Sequence, residues 1–453
     1  MPHIVLIGLV AVLLWALVSR RFARWGVAGP VGLLLLGAIA VLPATDTFLA
    51  TLDAPTTEPI VEVILALLLF VDATEVRGSI FGGVGRVILR LILIALPLSL
   101  VLAVVAGAFL IDVTNVFVLI AIACVVMPTD FAPAAQLLRS RRLPARVRQI
   151  LNVESGYNDG LVSPLFTIAV AIGAALALLP TSSSSGDDES LLDDFGDAFE
   201  KAGHAVGHAV PATVYAILVG AALGALTGWL ARIARDRDLA GTDGIRIVML
   251  AVPLIAYAIA TLPVIEANGF VAAFVAGVAY RLARLGRGAS GEARAIPHEE
   301  LLLAEEVSSF TAMFVWFILG GVATAAIVGG ILTWQIVLFA LLALTVLRIA
   351  PVWLSLLGSR ISGRDRLAIG AIGPRGTASI VFGLLAYNRL DEGDANAVLV
   401  VTLIAVVGSV VLHGFAAPFL LRRLYMREGE AREGGTAAPE SPARVGGASS
   451  STD

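Results

Sequence analysis

Apolar stretches of about 20 residues, the length needed to cross roughly 30 Å of hydrocarbon, follow one another almost from end to end of this chain. Short arginine-bearing connections separate them. With 58% hydrophobic and only 15% charged residues in a chain of 453, there is too little polar surface to cover a soluble globule, so the bilayer must be the solvent. Segments of about 10 residues with alternating faces, the mark of a membrane β-barrel, are absent from the pattern. The sequence predicts an all-α polytopic membrane protein of about thirteen transmembrane helices, each near the length a bilayer demands. Their expected centres are Leu9, Leu35, Leu67, Ala95, Ile122, Ile168, Leu218, Leu254, Phe274, Phe314, Leu338, Phe382 and Val406.

The connections alternate in charge. One set holds Arg20, Arg21 and Arg24, then Arg77 and Arg86, Arg139 to Arg148, Arg232 to Arg237, Arg281 to Arg294, Arg360 to Arg366, and Arg422, Arg423 and Arg427. The other holds Asp46, Asp53 and Glu58, then Asp112, the Asp187 to Glu200 stretch, Glu266, and Asp391, Glu392 and Asp394. The positive-inside rule makes the arginine set cytoplasmic, which puts the N-terminus outside and the C-terminus in the cytoplasm of a multi-pass protein of the plasma membrane. The first apolar run, Ile4 to Val18, is read as a retained span because its basic cluster follows it. Residues 181–201, with a serine run and an acidic cluster, read as an external acidic loop, and residues 428–453 as a disordered cytoplasmic tail. The lone cysteine, Cys124, can build neither a disulfide nor a thiolate metal cluster.

Two of the runs are interrupted. The fifth contains Met127-Pro128-Thr129-Asp130-Phe131-Ala132-Pro133 and the twelfth Gly370-Ala371-Ile372-Gly373-Pro374-Arg375-Gly376. Proline removes a helical hydrogen bond and clashes with the preceding turn, so each motif should unwind its helix and free backbone carbonyls and amides. Irregular backbone at that depth survives only where it is buried in protein or lines a wet cavity. Spaced roughly seven spans apart, the breaks predict two inverted repeats of about six helices that enter the membrane from opposite sides.

A charged side chain at bilayer depth costs about 2.5–3.5 kcal/mol on insertion scales, so each one calls for a role. The sixth run begins Asn152-Val153-Glu154-Ser155-Gly156-Tyr157-Asn158-Asp159-Gly160. Glu154 with Asn158, and Ser155 with Asp159, are spaced i, i+4 and stack on neighbouring strips of one helix. Together with Thr129 and Asp130 they offer carboxylates, hydroxyls, an amide oxygen and loose carbonyls, a hard-oxygen set suited to a small hard cation. In low dielectric the ionised carboxylate is disfavoured, and a bound cation favours it, so one carboxyl group can hold a cation or a proton but not both. Asp159 is the expected switch. Arg375 needs a partner at its depth, and Glu154 is the expected one, in a structural ion pair. Asp72 is a third embedded acid and a candidate for the cytoplasmic access path. No histidine is expected near either break; His413 falls in the last span.

Over these residues the chain resembles the monovalent cation/proton antiporter family, in its NhaP-like sodium/proton branch related to animal sodium/proton exchangers. The matching strings are Leu68-Leu69-Phe70-Val71-Asp72-Ala73, Pro128-Thr129-Asp130, Leu151 to Gly160, Asn268 to Gly277, and Gly373-Pro374-Arg375-Gly376-Thr377-Ala378-Ser379. The resemblance implies an antiporter fold with two crossed discontinuous helices. It implies a homodimer in which a core bundle, near residues 86–180 and 329–421, moves against a dimerisation bundle, near residues 3–75 and 203–325. It also implies that Asp159 binds the transported cation or a proton with Thr129, Asp130 and Ser155 beside it, that Glu154 pairs with Arg375, and that Asn158 goes with electroneutral exchange. Phe131 departs from the proline usual after Thr-Asp, and the expectation is a break that persists around a narrower or more apolar cavity.

The function expected is exchange of sodium for protons by a transporter, not an enzyme. Its only ligands are the transported ions, with lithium or potassium as alternatives to sodium, and its surroundings are membrane lipid, with no nucleic-acid partner. A potassium/proton antiporter of the same fold remains the alternative. An intramembrane enzyme is disfavoured because no Gly-x-Gly-Asp string and no Ser/His pair accompanies the acids, and a channel because two breaks around one carboxylate suit an occluded site.

Overall fold

A computed structural model of the chain describes residues 2–25, 28–76, 81, 83–134, 138, 143–177, 188–286, 295–417 and 419–425. Every regular element among the described residues is helical. In order they are α1 (Pro2–Arg24), α2 (Gly29–Val41), α3 (Thr45–Leu52), α4 (Thr57–Glu75), α5 (Gly85–Arg90), α6 (Leu96–Leu110), α7 (Val116–Val126), α8 (Ala145–Ala177) and α9 (Asp188–Asp236). There follow α10 (Thr242–Ala260), α11 (Gly269–Leu285), α12 (His298–Val328), α13 (Trp334–Leu344), α14 (Val346–Ser355), α15 (Gly363–Ala371), α16 (Thr377–Arg389) and α17 (Glu392–Val411). A π turn, Leu91–Ala95, joins α5 to α6, and another, Leu412–Ala416, extends α17.

Several starts are written in the sequence as side-chain caps. Asn115 accepts from the Phe117 amide at 3.1 Å, Asn268 from those of Phe270 and Val271 at 3.0 and 3.1 Å, and Ser362 from that of Asp365 at 3.1 Å. Each satisfies an amide that the first turn leaves without an intrahelical acceptor.

Each of the thirteen expected centres lies inside a helix. Nine described helical runs, three of them made of consecutive helices (Gly29–Leu52, Gly85–Leu110 and Trp334–Ser355), are long and apolar enough to cross a bilayer unaided. The other centres lie in α4, which carries Glu58, Glu62, Asp72 and Glu75, in the short α7, in the 17-residue α11, and in the broken pair α15 and α16. Length and composition therefore establish nine spans and leave thirteen as an expectation. The outward faces are apolar, with Leu17, Phe109 and Phe415 more than two thirds exposed, as lipid contact permits.

Two expectations are corrected here. Residues 188–201 are not a loop but the first turns of α9; Leu191, Phe195 and Phe199 repeat every four residues, a helical period that the acidic composition masked. Arg281, read as part of a cytoplasmic connection, is a fully buried residue of α11. The expected external residues 181–187 and the tail 428–453 lie outside the described residues.

Helix packing relies on small residues where backbones meet. A Cβ at Gly220, Gly224 or Gly228 of α9 would sit 2.4, 2.3 or 2.4 Å from the carbonyl oxygens of Ala272, Ala276 and Tyr280 of α11. With no hydrophobic drive between helices in lipid, this close approach supplies the dispersion contact that joins the two.

Candidate ion-exchange site

Both breaks are present. α7 ends at Val126 and residues 127–131 are not helical; α15 ends at Ala371, and residues 372–376 are not helical before α16 begins. The two meet where the Asp130 amide donates to the Pro374 carbonyl at 2.8 Å. Phe131 leaves the break intact and lines the cavity below it.

Helix α8 supplies the facing side chains. Ser155 Oγ donates to the Thr129 carbonyl at 2.8 Å, and Asn158 Nδ2 donates to the same carbonyl at 3.3 Å and to Thr129 Oγ1 at 2.8 Å. Because a carbonyl only accepts, these bonds fix which end of the Asn158 amide faces the break and turn its oxygen away. Asp159, the next residue of α8, is buried and within electrostatic reach of Asp130 and Arg375. Its Oδ2 and Asn158 Oδ1 are fully enclosed and have no hydrogen-bond partner among the described residues. A buried acceptor without a donor is costly, so each of these oxygens is open to a proton, a water or a cation. Thr129, Ser155, Asn158 and Asp159 are thus brought together, and Asp130 reaches them through the backbone of the break. Its Oδ2 lies 3.5 Å from the Ala378 amide at the start of α16.

The expected ion pair between Glu154 and Arg375 is not the contact formed. Glu154 pairs with Arg348 of α14, Nη2 lying 3.1 Å from Oε1 and 3.2 Å from Oε2. Arg375, with no exposure, gives its guanidinium to the carbonyls of Val126 and Gly373, and to that of Ala343 at 3.4 Å. The reason lies in the breaks themselves, which leave carbonyls unpaired at the depth of the guanidinium and so satisfy it without a carboxylate. Arg348 went unnoticed in the sequence although it is a lone arginine in the apolar stretch Leu344 to Leu354; the cost of charge at depth was the signal that would have found it.

His413 is a second correction. It is buried at the second break, where the Gly373 amide donates to its Nε2 at 3.2 Å, and Ser409, one turn earlier, accepts from the Arg375 amide at 2.7 Å.

A cavity of about 440 Å³ ends at this group. Asp72, Glu75, Asp130, Phe131, Ser155 and Thr377 line it, and Asp159 is not among the lining residues. Asp72 is within electrostatic reach of Asp130, Glu75 and Asp159. The cavity reaches the N-terminal end of α2 at Gly29 and Pro30 and the C-terminal end of α4, so it opens at the arginine-bearing ends. At the opposite end the helices are tied together. Arg389 of α16 pairs with Glu58 and Glu62 of α4, Tyr257 of α10 donates to Glu62, and Tyr387 donates to Asp53 at 2.8 Å. Between the site and these ties the rings of Phe166 and Phe382 pack with centroids 4.7 Å apart.

No curated protein matches this sequence. Among solved structures the fold is similar to that of the sodium proton antiporter MjNhaP1 from Methanocaldococcus jannaschii. Against the structure at pH 8 the TM-score is 0.66 at 17% identity, over 91% of this chain and 98% of that one. Against an electron-microscopy structure of the same antiporter it is 0.63 at 18% identity, over 97% and 99%. Two broken helices crossing beside a buried acid, next to a cavity lined by Asp72, Glu75 and Asp130, are thus found in a fold of that kind. Residues 8–423 match the family described as sodium/hydrogen exchanger, transmembrane, and on a match of that extent the chain belongs to this family.

Proposed function

We propose that the protein exchanges a monovalent cation, sodium, for protons across the plasma membrane by exposing one site alternately to its two sides. The observation that carries this reading is Asp159: a buried carboxylate with an unpartnered oxygen, set against the freed Thr129 carbonyl and the Ser155 and Asn158 side chains. Protonated, it needs no counter-ion; ionised, it needs the cation, and the two ligands exclude each other. Thr129, Ser155 and Asp159 hold the metal ion, Asp130 shapes the site through the crossed breaks, and Asp72 and Glu75 draw cations into the cavity.

The Arg348–Glu154 pair is neutral as a unit, which removes Glu154 as the switch; Asp159, with its unpartnered oxygen, is the acid whose charge changes during exchange. Asn158, as an amide, adds no second proton, which supports electroneutral one-for-one exchange. The protein acts as a homodimer in which the bundle near residues 86–180 and 329–421, carrying both breaks, moves against the bundle near residues 3–75 and 203–325. The arginine-bearing ends face the cytoplasm, so the cavity is the inward path. The likeness to MjNhaP1, a sodium proton antiporter, supports the same assignment.

The test is proton flux in proteoliposomes, read by a pH-sensitive dye on adding sodium, lithium or potassium, with and without an imposed voltage. Wild-type protein is expected to move protons with sodium and to ignore the voltage. Asp159→Asn is expected to abolish the flux while eluting as a folded dimer; normal exchange by that variant refutes the site. A response to potassium alone refutes the choice of ion.

A further inference from the structure

We propose that His413 is a positioning residue of the exchange site: as a neutral imidazole carrying its proton on Nδ1, it grips the second break and thereby sets the backbone to which Asp130 is tied. The inference rests on the exchange reading above and adds a residue to it.

His413 lies in the π turn Leu412–Ala416 at the end of α17, 2% exposed. The extra residue of a π turn is a local departure that tends to occur at functional sites. Its two ring nitrogens face partners of opposite character. Nε2 lies 3.2 Å from the Gly373 amide nitrogen, and a backbone N–H only donates, so Nε2 must present a lone pair. Nδ1 lies 2.9 Å from the Ser409 carbonyl, which only accepts, so Nδ1 must carry the proton. The tautomer with its proton on Nδ1 meets both of these bonds; the Ser409 hydroxyl, 3.2 Å from Nδ1, and the Ala371 carbonyl also lie at the ring.

What that state holds in place is the centre of the break. Non-helical backbone at this depth has no helical neighbour to receive its amides, and water cannot substitute in the protein interior. Residues 373–375 have two amides, because Pro374 has none. His413 takes the first and Ser409 Oγ, at 2.7 Å, the second. Between those two anchors the Pro374 carbonyl accepts from Asp130 at 2.8 Å. Release of Gly373 therefore frees Pro374 to rotate, and with it goes the one backbone bond that joins the two breaks at Asp130. Ser409 and His413 are four residues apart on one helix face, so a single element of the last span fixes the second break from behind while α8 reads the first from the front.

The experiment uses the full chain. His413→Gln keeps an acceptor at the place of Nε2 and cannot become a cation; His413→Leu keeps the bulk and loses the acceptor. In proteoliposomes the leucine variant is expected to raise the sodium concentration for half-maximal flux by about tenfold, the scale of one buried amide left without its acceptor. The glutamine variant is expected to stay within about twofold of wild type, since the bond is kept. Equal behaviour of the two variants, or loss of maximal rate alone, overturns the proposal.

A second reading does not use transport. In ¹⁵N-histidine spectra of the detergent-solubilised protein, the resonances missing from His413→Gln identify His413 among the five histidines. The Nδ1–H tautomer is expected, and Nε2–H or imidazolium at neutral pH overturns the proposal even if the leucine variant fails to fold. Absence of sodium-driven flux in wild type would instead count against the exchange reading, while the spectrum still judges the tautomer.

Discussion

Glu154 and Asp159 are buried acids on the same helix, and their surroundings separate their roles. Glu154 has a guanidinium against both carboxylate oxygens, whereas Asp159 Oδ2 has no partner among the described residues. Removing one member of a buried pair strands the other charge, at a cost of about 3–5 kcal/mol. Glu154→Gln and Arg348→Gln are therefore each expected to lower the thermal stability of the purified protein sharply, and the exchanged pair Glu154→Arg with Arg348→Glu to recover part of it. The corresponding exchange of Glu154 with Arg375 should recover nothing; recovery there would restore the pairing first expected from sequence. That pairing was not legible because a sequence reports the cost of burying a charge but not the direction in which the helix turns it. Arg348 lies 194 residues from Glu154 and in no motif that names it. The residues around Asp159 were legible for the converse reason: i, i+4 spacing fixes which side chains share a strip, whatever packs against it.

At the level of elements, the breaks were readable from Pro128 and Pro374, because the loss of a helical hydrogen bond is a local consequence of covalent structure. The helical start of α9 was not, since its acidic residues carried the same composition as a solvated loop. Glycines show a related contrast between packing and site. At Gly224 a Cβ would lie 2.3 Å from the Ala276 carbonyl, and backbone cannot yield as a side chain does. Gly224→Val is expected to part α9 from α11 and destabilise the fold by about 1–3 kcal/mol or more, the usual cost of overpacking, measured as a fall in the melting temperature. At Gly376 a Cβ would lie 2.4 Å from Asp130 Oδ2 and 2.7 Å from Pro133 Cδ. Gly376→Ala should displace the Asp130 carboxylate, so its main effect is expected on sodium affinity in the flux assay, with a smaller change in melting temperature. If the two substitutions cost stability alike and leave affinity untouched, the crossing is a packing feature and not part of the site.

The whole molecule is asymmetric across the membrane, with a cavity at the arginine-bearing ends and ties at the other. Arg389 joins α16, which follows the second break, to Glu58 and Glu62 of α4, and Tyr257 of α10 braces Glu62. If the helices carrying the breaks move against α4 and α10 to open the far side, these bonds exist in one state and must part in the other. A ligand or bond shifts such an equilibrium only by its difference between the states. The Arg389 cluster is partly exposed, so its worth is about 1 kcal/mol, enough to change the ratio of states by about fivefold. Arg389→Ala is accordingly expected to deplete the state seen here without unfolding the protein. Accessibility reports it directly. With Cys124→Ala removing the single, buried native thiol, Ser309→Cys places a reporter in the wall of the cavity. A membrane-impermeant thiol reagent applied from the arginine-bearing side should label this reporter more slowly once Arg389 is replaced, and adding back a cation at this position as Arg389→Lys should restore part of the rate. Unchanged labelling would mean that the ties persist in both states, and that the site is closed off from the far side by the packing of Phe166 on Phe382 instead.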